Sequence, residues 1–160
     1  MSESRPLSRL ECFLFLAVIG LVVVGLVLCE EARAEGVPEV VLQTIAMESA
    51  GESDLGMGLV AKVIVNRARL SGKTLEEVCL APKQFSAWNK PEWARKWLRS
   101  HFSESTHQRA KKALEWALSL DSAMFNRLSH YHNTAILPYW ARGKAITVTE
   151  GNHAFYEGIA

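Results

Sequence analysis

The sequence predicts a mainly helical α+β single domain with a small irregular or β-rich lobe at its C-terminal end, preceded by a hydrophobic N-terminal helix. Three observations carry this. Apolar residues recur at helical spacing through much of residues 37–121, the periodicity fades after Asn126 into short strand-like pieces, and residues 13–28 form a run without a single charge. There is no internal repeat and no low-complexity linker.

The uncharged run, Phe13 to Leu28, would reach ~24 Å as a helix against a bilayer core of ~30 Å. Arg5 and Arg9 precede it, and Ala32-Arg33-Ala34 places small residues at signal-peptide spacing. Residues 1–34 therefore read as an export leader and residues 35–160 as the domain, with a location in the periplasm or cell envelope. Three fates of the leader stay open: cleavage after Ala34, retention as a membrane anchor through residues 13–28, or later release of an anchored form, as some phage lysins use. Leu28 is larger than a lipid-modified cysteine at Cys29 normally tolerates.

The domain elements follow in order. Val37 to Met47 reads as the first helix, with Pro38 in its first turn and Val41, Leu42, Ile45 and Ala46 on one face. Ser49-Ala50-Gly51 ends or bends it. Asp54 is the expected N-cap of a second helix that runs through Leu59, Val60, Val63 and Ile64 to about Leu70, where Ser71-Gly72 stops it. Thr74-x-x-Glu77 is a capping box opening a short helix into Cys79-Leu80. After Pro82, Lys83 to Asn89 lacks regular periodicity. Glu92 to Leu98 fits a short helix, and Ser105 or Thr106 would cap a longer one ending near Asp121. Ser129-His130-Tyr131-His132-Asn133 and Ile146-Thr147-Val148-Thr149 have strand-like composition.

Bulk composition narrows the function classes. Lys+Arg 18 against Asp+Glu 17 gives a net charge of +1, so no basic surface argues for a nucleic-acid partner. Of three cysteines only Cys79 lies in the domain, and a Cys29–Cys79 disulfide requires the leader to stay attached. Without a Cys-x-x-Cys pair there is no zinc ribbon and no thioredoxin-type site. A monomer is expected.

Glu48 is the leading candidate for chemistry. It ends an apolar run and adjoins a small-residue turn, and carboxyl groups held against apolar walls keep their protons to higher pH, as a general acid requires. That suggests acid–base chemistry on a neutral polymer such as a glycan. Glu52 lies four residues on but beyond Gly51, and reads as support: a partner for Arg67 or for backbone amides. A glycosidase ordinarily uses two carboxylates. Only two Asp, Asp54 and Asp121, occur, and no second acid stands in a comparable setting. This favours a mechanism in which Glu48 protonates the leaving oxygen and then accepts the proton of a substrate hydroxyl, closing an internal ether.

Gln84-Phe85-Ser86-x-Trp88-Asn89 combines amide, hydroxyl and aromatic groups as a sugar site does, although loop aromatics serve equally as core anchors. Trp93, Trp97 and Trp116 stand at helical spacing and read as packing residues; His101 and His107 read as surface residues. His130 and His132, two apart, share one face of a strand, and with His153 they raise a metal reading. No His-Glu-x-x-His accompanies them, so substrate hydrogen bonding or support of Glu48 is the preferred role.

Taken together, these segments resemble the cell-wall hydrolases related to the germination-specific spore cortex-lytic enzymes (the SleB type). The resemblance runs from about Val40 to Tyr156 and rests on the order of several pieces. They are Glu48-x-x-Gly51-Glu52, Gly56-Met57 leading to Val65-Asn66-Arg67, Val78 to Asn89, His130-Tyr131-His132-Asn133 with Pro138-x-Trp140-Ala141, and Gly151-Asn152-His153-x-Phe155-Tyr156. It implies a lysozyme-like fold and cleavage of the β-1,4 bond between N-acetylmuramic acid and N-acetylglucosamine in peptidoglycan glycan strands. It also implies Glu48 as catalytic acid, no metal or organic cofactor and, often, the 1,6-anhydro product of a lytic transglycosylase. Gln84, Phe85, Ser86, Tyr131, Trp140 and His153 would then line the glycan groove, with Glu52, Asn66 and Arg67 bracing it. The sequence departs from close relatives at Ala50, where a basic residue is common, and at Ala87, where a second cysteine is often found. Other outcomes remain: a hydrolytic muramidase, a metal-dependent amidase or peptidase using His130, His132 and His153, or a wall-binding protein without activity.

Overall fold

The structure, a computed structural model, describes residues 36–158. The proposed leader, with Cys12 and Cys29, lies outside them. Among the described residues no helix is long and apolar enough to cross a membrane.

Five α-helices come first. They are α1 (Glu39–Glu48), α2 (Asp54–Ser71), α3 (Leu75–Leu80), α4 (Pro91–His101) and α5 (Glu104–Ser119), with a 3-10 turn at Ser86–Asn89 between α3 and α4. A three-stranded antiparallel sheet follows, built from β1 (Leu128–Asn133), β2 (Val148–Glu150) and β3 (His153–Glu157) in the order β1-β3-β2. A second 3-10 turn, Tyr139–Ala141, lies in the β1–β2 connection. The chain is thus mainly α with a small C-terminal sheet, as the periodicity indicates.

The helix ends differ from expectation by a residue or two, and the caps say why. Pro38 is the N-cap of α1 rather than part of its first turn. Ser53, in extended geometry, caps α2 by accepting from the Gly56 amide at 3.0 Å, whereas Asp54 is the first helical residue and pairs with Arg109 at 2.9 Å. Ser103, not Ser105 or Thr106, caps α5. The capping box of α3 is present in both directions, Glu77 N to Thr74 Oγ1 at 3.2 Å and Thr74 N to Glu77 Oε2 at 2.8 Å. Gly72 closes α2 at φ 67°, a conformation glycine adopts without strain.

Two apolar layers meet on α2. On one side Met57, Ala61 and Ile64 pack with Val41 and Ile45 of α1 and Leu114 of α5. On the other, Leu59, Val60 and Val63 receive Leu128 and Phe155 of the sheet. At the α2–α5 crossing, Gly58 lets the Trp116 ring lie directly on the backbone, since a Cβ there would fall 2.7 Å from Trp116 Cε3. Trp97 and Trp116 are packing residues, but Trp93 is 47% exposed. Lys62, buried in the same region, donates to the carbonyls of Ala117 at 3.2 Å and Leu120 at 2.6 Å and so caps the end of α5. Strand β3 has no alternation to announce it: four of its five residues are buried on both faces.

Candidate active site

Glu48 is the last residue of α1, where the chain turns away through Ser49 and through Gly51 at φ 86°. Ser49 is buried and its hydroxyl donates to the Ile45 carbonyl, holding the helix end. Two further elements meet the Glu48 side chain. The 3-10 turn brings the Ser86 hydroxyl (3.3 Å) and the Ala87 amide (3.2 Å) to Oε1. The opening amides of a short helix have no partner within it, so the Ala87 N–H is free to reach outward. From β1 the Tyr131 hydroxyl donates to Oε2 at 3.1 Å. The surroundings are thus richer in donors than the apolar run before Glu48 suggests.

These contacts are held from behind. Thr44, one helical turn before Glu48, accepts from Trp88 Nε1 at 2.8 Å and fastens the 3-10 turn to α1. Arg67 donates through Nε to the Ser129 carbonyl at 2.6 Å and through Nη1 to Gln84 Oε1 at 3.0 Å, with its guanidinium 5.4 Å from the centre of the Phe85 ring. Burial lowers the Arg67 pKa, and the neighbouring Tyr131 and Glu48 oppose that shift. Asn66 Nδ2 donates to the carbonyls of Phe125 and Leu128, both at 2.8 Å, and so pins the chain entering β1 to α2. Burial first, and then the Glu48 charge, hold the Tyr131 hydroxyl well above the ordinary phenol range, so it remains a hydrogen-bond donor.

Glu52 is buried and does not pair with Arg67. Its carboxylate accepts from the Asn152 amide (3.1 Å to Oε2) and the Asn152 side chain (3.1 Å to Oε1) in the β2–β3 turn. Ser53 and Glu150 tighten the same junction through a 2.7 Å hydrogen bond, and Arg109 donates to the Glu52 carbonyl at 3.1 Å. His153, 8% exposed, begins β3 directly after this turn, with its ring edge-on to Tyr131 at 5.1 Å. Its Nδ1 lies 3.8 Å from Glu52 Oε1 and has no hydrogen-bond partner among the described residues. Burial lowers the His153 pKa, opposed by Glu52 and then Glu48.

The groove in front of Glu48 has a volume of about 440 Å³. Of the residues expected to line it, Gln84, Ser86, Tyr131 and His153 do. Phe85 and Trp140 do not. Phe85 is 2% exposed within the helical core, because its alternation with exposed Gln84 and Ser86 turns it inward. Trp140 packs on His130, His132 and Tyr156, with ring centres 5.3, 5.6 and 5.4 Å away. Strand alternation puts those residues on the face opposite Tyr131 and Phe155. Met47, Arg67, Lys83, Asn89, His132 and Asn133 complete the groove; Arg67, Asn89 and His132 are among the candidates from the sequence, whereas Met47, Lys83 and Asn133 are not. Lys83 and Asn133 lie within the segments Val78 to Asn89 and His130 to Asn133; Lys83 is exposed and has a left-handed backbone, φ 64°.

Among the described residues, no three His, Cys, Asp or Glu side chains converge closely enough to hold a metal ion. His132 Nε2 is instead 2.9 Å from the Tyr156 hydroxyl, and Ser129 Oγ is 3.0 Å from His130 Nδ1. His101 is at the surface as expected, but His107 packs edge-on against Phe102. Cys79 is a buried free thiol.

The sequence profile of the family described as Cell Wall Hydrolase matches residues 51–156, more than half of the chain, beginning after Glu48. Two solved structures are similar. The catalytic domain of the Bacillus cereus SleB protein is 24% identical, with a TM-score of 0.57 over 77% of this chain and 94% of that one. The catalytic domain of the germination-specific lytic transglycosylase SleB from Bacillus anthracis is 25% identical, with a TM-score of 0.56 over 77% and 98%. No curated protein sequence matches the chain.

Proposed function

The chain belongs to the cell wall hydrolase family, and from that premise we propose that it cleaves the β-1,4 bond between N-acetylmuramic acid and N-acetylglucosamine as a lytic transglycosylase, with Glu48 as its single catalytic carboxyl. One observation carries this reading. Among the described residues lining the groove, Glu48 is the only one with a carboxyl group, and three elements converge to fix it.

The chemistry balances with that one group. Protonated Glu48 gives its proton to the glycosidic oxygen as the bond from that oxygen to the muramyl C1 breaks. The resulting carboxylate takes the proton of the muramyl C6 hydroxyl, whose oxygen bonds to C1 and leaves a 1,6-anhydro ring. Neither an enzyme nucleophile nor a positioned water is required, in contrast to the two-carboxylate schemes of most glycosidases. Ser86, the Ala87 amide and Tyr131 orient the carboxyl; Gln84, Asn89, Asn133 and His153 offer hydrogen bonds to sugar hydroxyls and acetamido groups. The substrate lies outside the cytoplasm, which fits residues 1–34 as an export leader or anchor and residues 35–160 as the catalytic domain.

Mass spectrometry of the fragments released from purified peptidoglycan tests this reading. Anhydro-muramyl ends are expected. Reducing ends that have gained water would make the enzyme a muramidase, free stem peptides an amidase, and binding without release a wall-binding protein.

A further inference from the structure

A second cavity of about 330 Å³ adjoins the Glu48 groove. Arg67 and Gln84 line both, so the hydrogen-bonded Arg67–Gln84 bridge is the rim between them. Beyond that rim stand Lys73 and His130, with Val78 and Ala81 as an apolar wall.

The cations are the informative part. Among the described residues, neither Arg67 nor Lys73 has a carboxylate within ion-pair distance. Arg67 is half-buried, and its guanidinium has five N–H donors, of which two are engaged. A partly desolvated guanidinium without a counter-ion is costly, and its free donors suit a carboxylate. Glu48 acts on Arg67 only from beyond ion-pair distance, and its oxygens are engaged by Ser86, Ala87 and Tyr131.

The geometry points to this cavity as a binding site for a carboxylate on the peptide branch of the glycan strand, held by Lys73 and Arg67. The inference rests on the reading of the groove as the glycan site. A muramyl residue placed at Glu48 carries its acidic, alanine-containing peptide on the sugar ring beside the cleaved bond. A branch crossing the Arg67–Gln84 rim brings a carboxylate to the two cations and methyl groups to Val78 and Ala81. The site therefore selects peptide-bearing strands over bare glycan.

Calorimetric titration of the full-length chain in detergent tests this, with Glu48→Gln present to prevent turnover. The probes are a tetrasaccharide bearing peptides with free carboxylates and the same compound with those carboxylates amidated. The free acid is expected to bind about tenfold more tightly, the scale of one charge-assisted hydrogen bond. Adding Lys73→Met should remove most of that preference, and Lys73→Arg should keep it. Equal affinity for the two probes, or a Lys73→Met effect that weakens both alike, would overturn the inference. Failure of the catalytic reading looks different: carboxylate-dependent binding by a protein that, with Glu48 intact, releases no fragments refutes cleavage and leaves the subsite standing. Release of fragments with no carboxylate preference does the reverse.

Discussion

The Glu52 carboxylate occupies the space that a side chain on Gly151 would need: a Cβ there would lie 1.9 Å from Glu52 Oε2. Gly151 also has φ 53°, and with Asn152 it makes the two-residue turn between β2 and β3. The loop after α1 and the turn before His153 are therefore locked into each other. Glu52 does not itself line the Glu48 groove, but it holds Asn152, next to groove-lining His153.

Replacing Gly151 by Ala is expected to destabilise the domain by roughly 3 kcal/mol, from left-handed strain together with expulsion of a buried carboxylate. Urea unfolding measures it. Glu52→Ala combined with Gly151→Ala should cost less than the two single losses added, because the space is then free.

Tyr131→Phe removes one of three donors to Glu48 while keeping the ring that packs on His153 and Phe155. Turnover on purified peptidoglycan should fall by roughly tenfold to a hundredfold, as loss of a hydrogen bond to a charged group implies. The melting temperature should change little. Because the Tyr131 hydroxyl is held well above the phenol range, no alkaline limb of the pH–rate profile should disappear in this variant.

Gly58→Ala separates propensity from packing. In an exposed helix the change stabilises by about 1 kcal/mol. Here the new methyl meets the Trp116 ring at 2.7 Å, and overpacking of this kind costs about 1–3 kcal/mol, so net destabilisation is expected. Denaturant unfolding of Gly58→Ala, Trp116→Leu and the double variant should show strong positive coupling.

Acid should weaken the fold before the carboxylates titrate. Burial lowers the pKa of both His130 and His153 from 6.5, the former helped by Arg67. The unfolded chain then binds more protons than the native one below that value. Their contribution is fully present above about pH 6.5 and lost as pH falls through the folded pKa values. Thermal melts from pH 8 to pH 5 should show the decline, and His130→Gln with His153→Gln should flatten it.

What the sequence disclosed followed from local chemistry. The helices of the domain and the Thr74–Glu77 box were legible because capping and periodicity act over three or four residues. So was Glu48 as a candidate, because an apolar run stops at it. The β3 strand was hidden, since a run buried on both faces has no alternation. Phe85 and Trp140 went astray for a related reason: an aromatic beside polar groups looks alike in sequence whether it faces a groove, a core or the far side of a sheet. The Glu52–Gly151 lock spans 100 residues and only the fold brings it together.

The most direct measurement is fragment release from purified peptidoglycan by the Glu48→Gln protein beside the unaltered one. The substitution keeps the size of the side chain and removes its transferable proton. Its oxygen still accepts from Ser86 and Ala87, and the Tyr131 hydroxyl, which is also an acceptor, meets the new NH2. The expected result is no anhydro-muramyl product above background from a variant with an unchanged melting temperature, against abundant product from the unaltered chain. Undiminished release by Glu48→Gln would contradict the central claim.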